Sequence, residues 1–562
     1  MLPLVLASES SVTLNPYSIV LFPERLKRNA VPDLVLAFAA CSSTSRLSES
    51  HSLNDQSMRD DITQATSEGA KPAAAAEPSA RRLFWTVFPS VMLPMFLAVA
   101  DQTIVATALP AITADLGGVE RISWVVVSYL IANTIAAPVY GRLGDSFGRR
   151  PMILTALALF MAGSVLCALS PSIDFLTAAR VLQGFGGGGL MTLSQALVGE
   201  TIPLRERGRY QGYLAGVSVA SSTFGPVAGG YLTQVFGWRS IFLVNLPLGL
   251  VAVALVLRLQ TKPGDWRRTT FDAPGLLLFT LFVSPVILAL EQVQRMQAGT
   301  LPLIAGLLVF GALALLALIW QEKHSSAPLI PPALFREPSV WRADAMTACH
   351  GAALVSMITF LPIYLRAVRG ASPAQTGLLM LPLMFGIGIG SLVTGQLVTR
   401  TGRTATFPSY GLVVATFGLV LLAVSLPHVT LFELPWVFGA IACFMGTVMG
   451  VVQVTVQAVA GQRMLGTGAA MVQFSRSVGA AFGTALVAAV LFSTIAGRDP
   501  ETARLFAAMI DHGPEAIAAL TPARQAAVQS EIGEAFRAVF GTIAAFTGIG
   551  AVLAFSMPLR RI

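Results

Sequence analysis

An aspartate buried in an apolar run is the first residue of this chain that could do chemistry. Asp101 sits in LAVADQTIVATALP. An acid at the centre of a bilayer costs about 2.5–3.5 kcal/mol on insertion scales, so its side chain must find a cavity or a partner. A carboxyl group in that setting is a candidate reversible proton site, the chemistry of a coupled device. Arg180, in LTAARVLQGFGGGG, lies about one turn into another apolar run. It can pair with Asp101 if the two helices touch, and the guanidinium then sets when the proton leaves. The alternatives are a structural hydrogen-bonded acid and an arginine whose charge snorkels to the interface.

A second constellation is GRLGDSFGRR, residues 141–150, between two apolar runs. Asp145 is its lone acid, among Arg142, Arg149 and Arg150, while Gly144 and Gly148 permit a sharp turn and close helix approach. An echo, GQLVTRTGR, begins at Gly395, and Gly141, Leu143, Gly148 and Arg149 align with Gly395, Leu397, Gly402 and Arg403. Thr399 stands where the first copy has Asp145. One loop repeated at matching places is the mark of a duplicated bundle.

Further polar residues inside apolar runs are Asn133, Asn245, His350, Gln453, Gln457, Gln473 and Arg476. Asn133, Asn245, His350, Gln453, Gln473 and Arg476 are candidate cavity residues, with interhelical hydrogen bonding as the competing explanation. Asp344 reads as a solvated residue at the edge of its run. Gly225, Pro226, Gly229 and Gly230 belong to GPVAGG, where proline kinks a helix and glycines thin its surface. Ser221, Gly225 and Gly229 share one helical face, suited to a rocking contact. The run Gly186–Gly189 reads as close packing.

These residues need a membrane scaffold to position them. The chain has 562 residues, 54% hydrophobic and 12% charged, against about 25% charged in soluble domains; its mean hydropathy is +0.70. The fold class is therefore an all-α membrane protein, with fourteen transmembrane helices near 86–110, 122–142, 151–170, 176–199, 210–234, 240–259, 273–291, 301–320, 343–365, 374–398, 407–426, 435–459, 467–494 and 538–558. The seventh and eighth fall between the matching loops and read as an inserted pair. The division is a leader over 1–80, a six-helix bundle over 81–260, the inserted pair over 261–325 and a second six-helix bundle over 326–562. Residues 497–537 read as one long external loop with short amphipathic helices. Basic residues crowd alternate loops, so both termini are placed in the cytoplasm. The net charge of +8 then reflects arginine-rich loops and not nucleic-acid binding. Cys41, Cys167, Cys349 and Cys443 have neither metal nor disulfide-framework spacing. Nucleotide-phosphate loops, HExxH and GxSxG are missing from the sequence, so it reads as no enzyme and needs no metal.

The pattern resembles the major facilitator superfamily, in particular its fourteen-helix drug:proton antiporter branch. The resemblance runs over about residues 84–558. It rests on GRLGDSFGRRP, DQTIVATALPAI, RVLQG at 180–184, GPVAGG at 225–230 and WRSIFLVNLPLGL at 238–250. Ser221 departs from the antiporter motif, which often has glycine there. The resemblance implies export of amphipathic small molecules by alternating access, with the proton as coupling ion and no cofactor. Asp101 would take and release the proton, Arg180 would modulate it, and Asp145 with Arg149 would latch the cytoplasmic side. The leading reading places the protein in the inner (cytoplasmic) membrane, with a monomer as one option and the oligomeric state left open by the sequence. A dedicated exporter of one metabolite and a transport-dead sensor or scaffold are the other readings.

Overall fold

The computed structural model describes residues 80–259, 272–295, 301–512 and 520–562. They lie in one compact unit, Ser79–Ile562. The expected leader falls outside the described residues up to position 79, as do Cys41 and residues 260–271. Apart from an isolated antiparallel bridge between Arg403 and Arg561, the described residues form helices and their connections. Apolar runs choose helix because in lipid every backbone N–H and C=O must be satisfied within the segment.

The chain begins with α1 (Ala80–Leu116), α2 (Ile122–Phe147), α3 (Arg149–Ala168), α4 (Ile173–Thr201) and α5 (Arg207–Phe236). The short α6 (Ser240–Leu243) runs into α7 (Asn245–Leu257). Next come α8 (Ala273–Arg295), α9 (Leu301–His324) and the small α10 (Pro332–Arg336). The remainder is α11 (Pro338–Ala367), α12 (Pro373–Thr401), α13 (Thr406–Ser425), α14 (Leu434–Met445) continued by α15 (Thr447–Ala460), α16 (Leu465–Arg498), α17 (Pro500–His512) and α18 (Pro522–Phe555).

Twelve stretches among the described residues are long and apolar enough to cross a membrane. Two more helices, α4 with 29 residues and α5 with 30, have the length. Glycine, serine and glutamine dilute their apolar content, and Gln183, Gly184 and Ser194 of α4 and Gln211, Gly212 and Ser221 of α5 are buried. The long loop expected over 497–537 is largely helical: α16 continues to Arg498, α17 follows, and α18 starts at Pro522. A carboxylate clasp explains this, since Asp499 accepts from Thr502 and from Arg524, the latter at 2.5 Å.

Two large apolar clusters hold the unit together. One draws Val91, Leu97, Phe160, Leu193 and Val256 from α1, α3, α4 and α7. The other draws Met357, Phe438, Phe536 and Phe540 from α11, α14 and α18. The run Gly186–Gly189 packs as expected: a β-carbon on Gly186 would stand 2.5 Å from Phe160 N, and one on Gly188 2.3 Å from Asn133 O. Helices α8 and α9 pair with each other, and α8 also lies on α2 and α16, bridged by Val127, Ile135, Phe279 and Val283.

Candidate functional site

Asp101 is 1% exposed and does not line any described cavity. Its Oδ2 accepts from Arg180 Nη1 at 2.5 Å. Its Oδ1 accepts from Gln183 Nε2 at 2.8 Å and from Asn245 Nδ2 at 3.0 Å. Arg180 and Gln183 stand three apart on α4 and so share a face. The guanidinium lies 4.1 Å over the Tyr129 ring and donates through Nε to Val125 O. Ser164 Oγ accepts from both amides, Gln183 and Asn245. Removing one partner of such a buried pair costs about 3–5 kcal/mol, because the other charge is left uncompensated. Asn245, expected in the cavity, is instead consumed by this network. Its amide has more to gain from a buried carboxylate than from solvent.

Gln102, the next residue after Asp101, lines a cavity of about 370 Å³ between the two apolar clusters. Asn133, His350, Gln473 and Arg476 all reach it, as the sequence led one to expect. Leu130, Val219, Leu354 and Met384 give it apolar walls. A smaller pocket of about 30 Å³ adjoins it, sharing His350, Gln473 and Arg476 and adding Gln195, Gln211, Thr347 and Gln453. Glu291, near the end of α8, also lines the large cavity. Its acid closes the seventh apolar run, a signal that was available in the sequence and passed over. A volume of this size, apolar with a few charged and amide groups, suits a small amphipathic ligand.

One end of the molecule is held shut below that cavity. Helix α2 runs through Gly144 to Phe147, and the turn is confined to Gly148, whose φ of 93° disfavours any side chain. Asp145 forms an ion pair with Arg149, both side chains 4% exposed, and Arg149 Nε lies 3.5 Å from Glu200. Asp145 reaches across to α16, where Oδ1 accepts from Gly466 N at 2.9 Å. Its Oδ2 accepts from Thr467 N and Oγ1, both at 2.8 Å. Gly141 makes the approach possible, since a β-carbon there would sit 2.6 Å from Gly466 O. Arg150 donates to Leu257 O at 2.6 Å; Arg142 is half-buried on α2. Backbone N–H groups carry no sequence signature, so Gly466 and Thr467 were not foreseeable.

The echo loop occupies the equivalent place. A β-carbon on Gly395 would stand 2.3 Å from Gly208 O, and Thr399 Oγ1 accepts from Arg209 N at 3.1 Å. Gln457 adds a third tie at this end, donating to Gln195 O at 2.9 Å. Farther along α5 and α12, Gly388 faces Val219, and Phe224 and Phe385 are exposed.

The GPVAGG face does not meet the second cluster of helices. Gly225 and Gly229 pack on α1, against Thr103, Ile104 and Thr107. Thr103 Oγ1 donates to Ser221 O at 3.4 Å. Pro226 and Gly230 are exposed. The glycines of α5 that face α12 are Gly208, Gly212 and Gly216, each one helical turn from the next. Asp344, read as a solvated edge residue, is 4% exposed. The apolar cluster of Leu334, Val340, Ala343, Met346, Ala554 and Met557 covers that end of α11.

A multi-pass helical membrane protein with a central cavity, sealed at one end by paired loops, has the architecture of a transporter. The profile of the Major Facilitator Superfamily matches residues 91–484, and the chain belongs to that family. An uncharacterised MFS-type transporter of Mycobacterium tuberculosis is 35% identical over 408 residues, 72% of this chain. The match spans 59% of that relative's length. The multidrug transporter protein MdtP of Bacillus subtilis is 29% identical over 401 residues, 71% of this chain and 74% of the relative. The human organic anion transporter MFSD10 shares the fold, with a TM-score of 0.56 at 15% identity, over 85% of this chain and all of that one.

Proposed function

We propose that this chain exports amphipathic small molecules in exchange for protons, by alternating access about the central cavity. The observation that carries the reading is the cavity's position. It is lined by helices from both apolar clusters, lies one residue from the Asp101–Arg180 network, and is closed at one end by Asp145. The Bacillus relative named a multidrug transporter supports drug-like cargo. In this reading fourteen helices span the membrane, α4 and α5 completing the set. Residues 81–260 and 326–562 form the two moving halves, and 261–325 forms the inserted pair. The latch end faces the cytoplasm with both termini, and the protein resides in the cytoplasmic membrane. Export from a sealed cytoplasmic side is the outward-facing stage of the cycle. Asp101 exchanges the proton when movement of α1 against α4 loosens Arg180.

The test is ethidium accumulation in cells with and without the protein, with and without a protonophore. Wild type lowers accumulation and the protonophore abolishes the difference. Asp101→Asn, inserted at normal level, loses the difference as well. Undiminished protonophore-sensitive efflux in that variant removes Asp101 from the mechanism. Efflux indifferent to the protonophore removes proton coupling. A panel of other amphipathic compounds separates broad export from export of a single metabolite.

A further inference from the structure

Asp344 is an acid that the mechanism above leaves unused, and its surroundings are unusual for a carboxyl group. It is 4% exposed, and neither oxygen has a hydrogen-bond partner. It lies six residues into α11, in the stretch whose Val340, Ala343 and Met346 pack with Val448, Val452 and Met471. An ionised carboxylate with neither donor nor counter-charge in such a place would cost far more than a neutral acid. Among the described residues, the helices packed on α11 bring no counter-ion to either oxygen: α14 carries no charged residue, Arg524 of α18 is paired with Asp499, and Arg537 of α18 and Arg498 of α16 are paired with Glu534. Arg342, on α11 itself, is engaged with Ser556 O just past the end of α18, and Arg336 of α10 is exposed. α15 carries no charged residue. Arg400 of α12 is exposed. Arg476 of α16 sits beside Gly351, about 10 Å along the axis from Asp344 by helical rise. His350, on α11 itself, is about 9 Å along the axis by the same measure.

A polar line leads from this acid to the cavity. Thr347 stands one turn above Asp344 on α11 and lines the pocket of about 30 Å³. That pocket is bounded by four buried polar atoms that find no protein partner: Gln195 Oε1, Gln211 Nε2, His350 Nε2 and Gln453 Nε2. Space for one water needs about 10–15 Å³ with two to four polar partners, so the pocket suits about two. His350, Gln473 and Arg476 belong to this pocket and to the large cavity alike. Polar atoms of this kind at a helix–helix seam are costly unless water serves them.

We propose that Asp344 is a second proton-carrying residue of the transport cycle, loaded from the central cavity through a hydrated pocket at Thr347, His350 and Gln453. It holds its proton while the latch end is closed. It gives that proton to solvent when Asp145 lets go of Gly466 and Thr467 and the covering of α11 parts. The step is a plain acid–base exchange: the O–H bond of the acid breaks to a water oxygen, and the carboxylate keeps the electron pair. This inference rests on the proton-coupled reading, and it would give the second half a titrating group of its own.

The test is infrared spectroscopy of the purified full-length protein at neutral pH, with carboxyl-labelled aspartate. Wild type is expected to show the carbonyl stretch of a protonated acid. That band disappears in Asp344→Asn and persists in Asp101→Asn. In D₂O the band shifts within the mixing time, and Gln453→Leu, which fills the pocket, slows the shift at least tenfold. In Asp145→Asn the band falls to less than half. Absence of an Asp344-dependent band, an unchanged exchange rate in Gln453→Leu, or an undiminished band in Asp145→Asn overturns the proposal. Asp344→Leu serves if Asn does not fold, and it is expected to be at least as stable as wild type. None of these readings needs transport, so a failed ethidium experiment with an intact band sinks the coupling reading and not the placement of the proton.

Discussion

The two copies of the loop do the same job with different strength. In the first, Asp145 takes two backbone N–H bonds and one hydroxyl bond from Gly466 and Thr467, and it is charge-paired to Arg149. In the second, Thr399 takes a single backbone N–H bond, from Arg209, and Arg403 is exposed. The backbones approach alike, glycine on glycine, at Gly141–Gly466 and at Gly395–Gly208. Geometry has therefore been kept in both copies and charge in one. Bonds to an ionised acceptor are roughly twice as strong as neutral ones. In the proposed cycle the first loop is thus the latch and the second a guide that keeps the seam in register.

The largest effect is expected at Asp145. Asp145→Asn leaves Arg149 buried with Glu200 alone, 3.5 Å away, which places the cost near the low end for a broken buried pair, about 3 kcal/mol. The closed state then loses about a hundredfold in population. Distances between spin labels at exposed positions 205 and 463 should broaden toward an open latch end, and ethidium efflux should slow by at least tenfold. Next in size are Gly141→Ala and Gly395→Ala, whose β-carbons would meet backbone oxygens at 2.6 and 2.3 Å. Both seams should loosen comparably in the same measurement, which checks that approach, unlike charge, is shared. Thr399→Val removes one neutral hydrogen bond, worth about 0.5–1.5 kcal/mol, and should slow efflux less than about tenfold while leaving the label distances closed. Thr399→Asp should sharpen the contrast by moving the second seam toward the first.

The smallest effect belongs to the half-buried clasp at the opposite end. Arg524 beside Asp499, helped by Glu501 N–H and Thr502, holds that carboxyl down at about 2, below its ordinary 3.8. Because the folded value is the lower one, the stabilisation is complete above about pH 4 and is lost as pH falls toward 2. Arg524→Gln should therefore lower Tm by the same small amount between pH 5 and 8, with the difference fading in acid. A difference that grows in acid contradicts this assignment.

The sequence made the costly features legible. Asp101 and Arg180 each needed a partner in an apolar setting, and they found each other. Four of the six candidate cavity residues line the large cavity, because an amide or a cation inside an apolar run has few places to go. Asn245 was misplaced because a buried acid outbids a cavity for its amide. Asp344 was misread as an edge residue because α10, packed under the start of α11 through Leu334, leaves no signature in the hydropathy of α11. The partners of Asp145 were illegible for another reason: they are main-chain N–H groups, present at nearly every residue. The contact of Gly208 and Gly212 with α12 was spelled in the same i, i+4 spacing as Gly225 and Gly229, but spacing alone does not say which neighbour a smooth face will meet.

The most direct measurement uses purified protein in liposomes with a pH-sensitive dye trapped inside and ethidium outside. With the latch end outward and the lumen made acidic, ethidium should accumulate inside while protons leave, and both fluxes should stop in Asp101→Asn. Accumulation that survives collapse of the pH gradient, or protons moving in the same direction as the dye, would contradict the exchange mechanism.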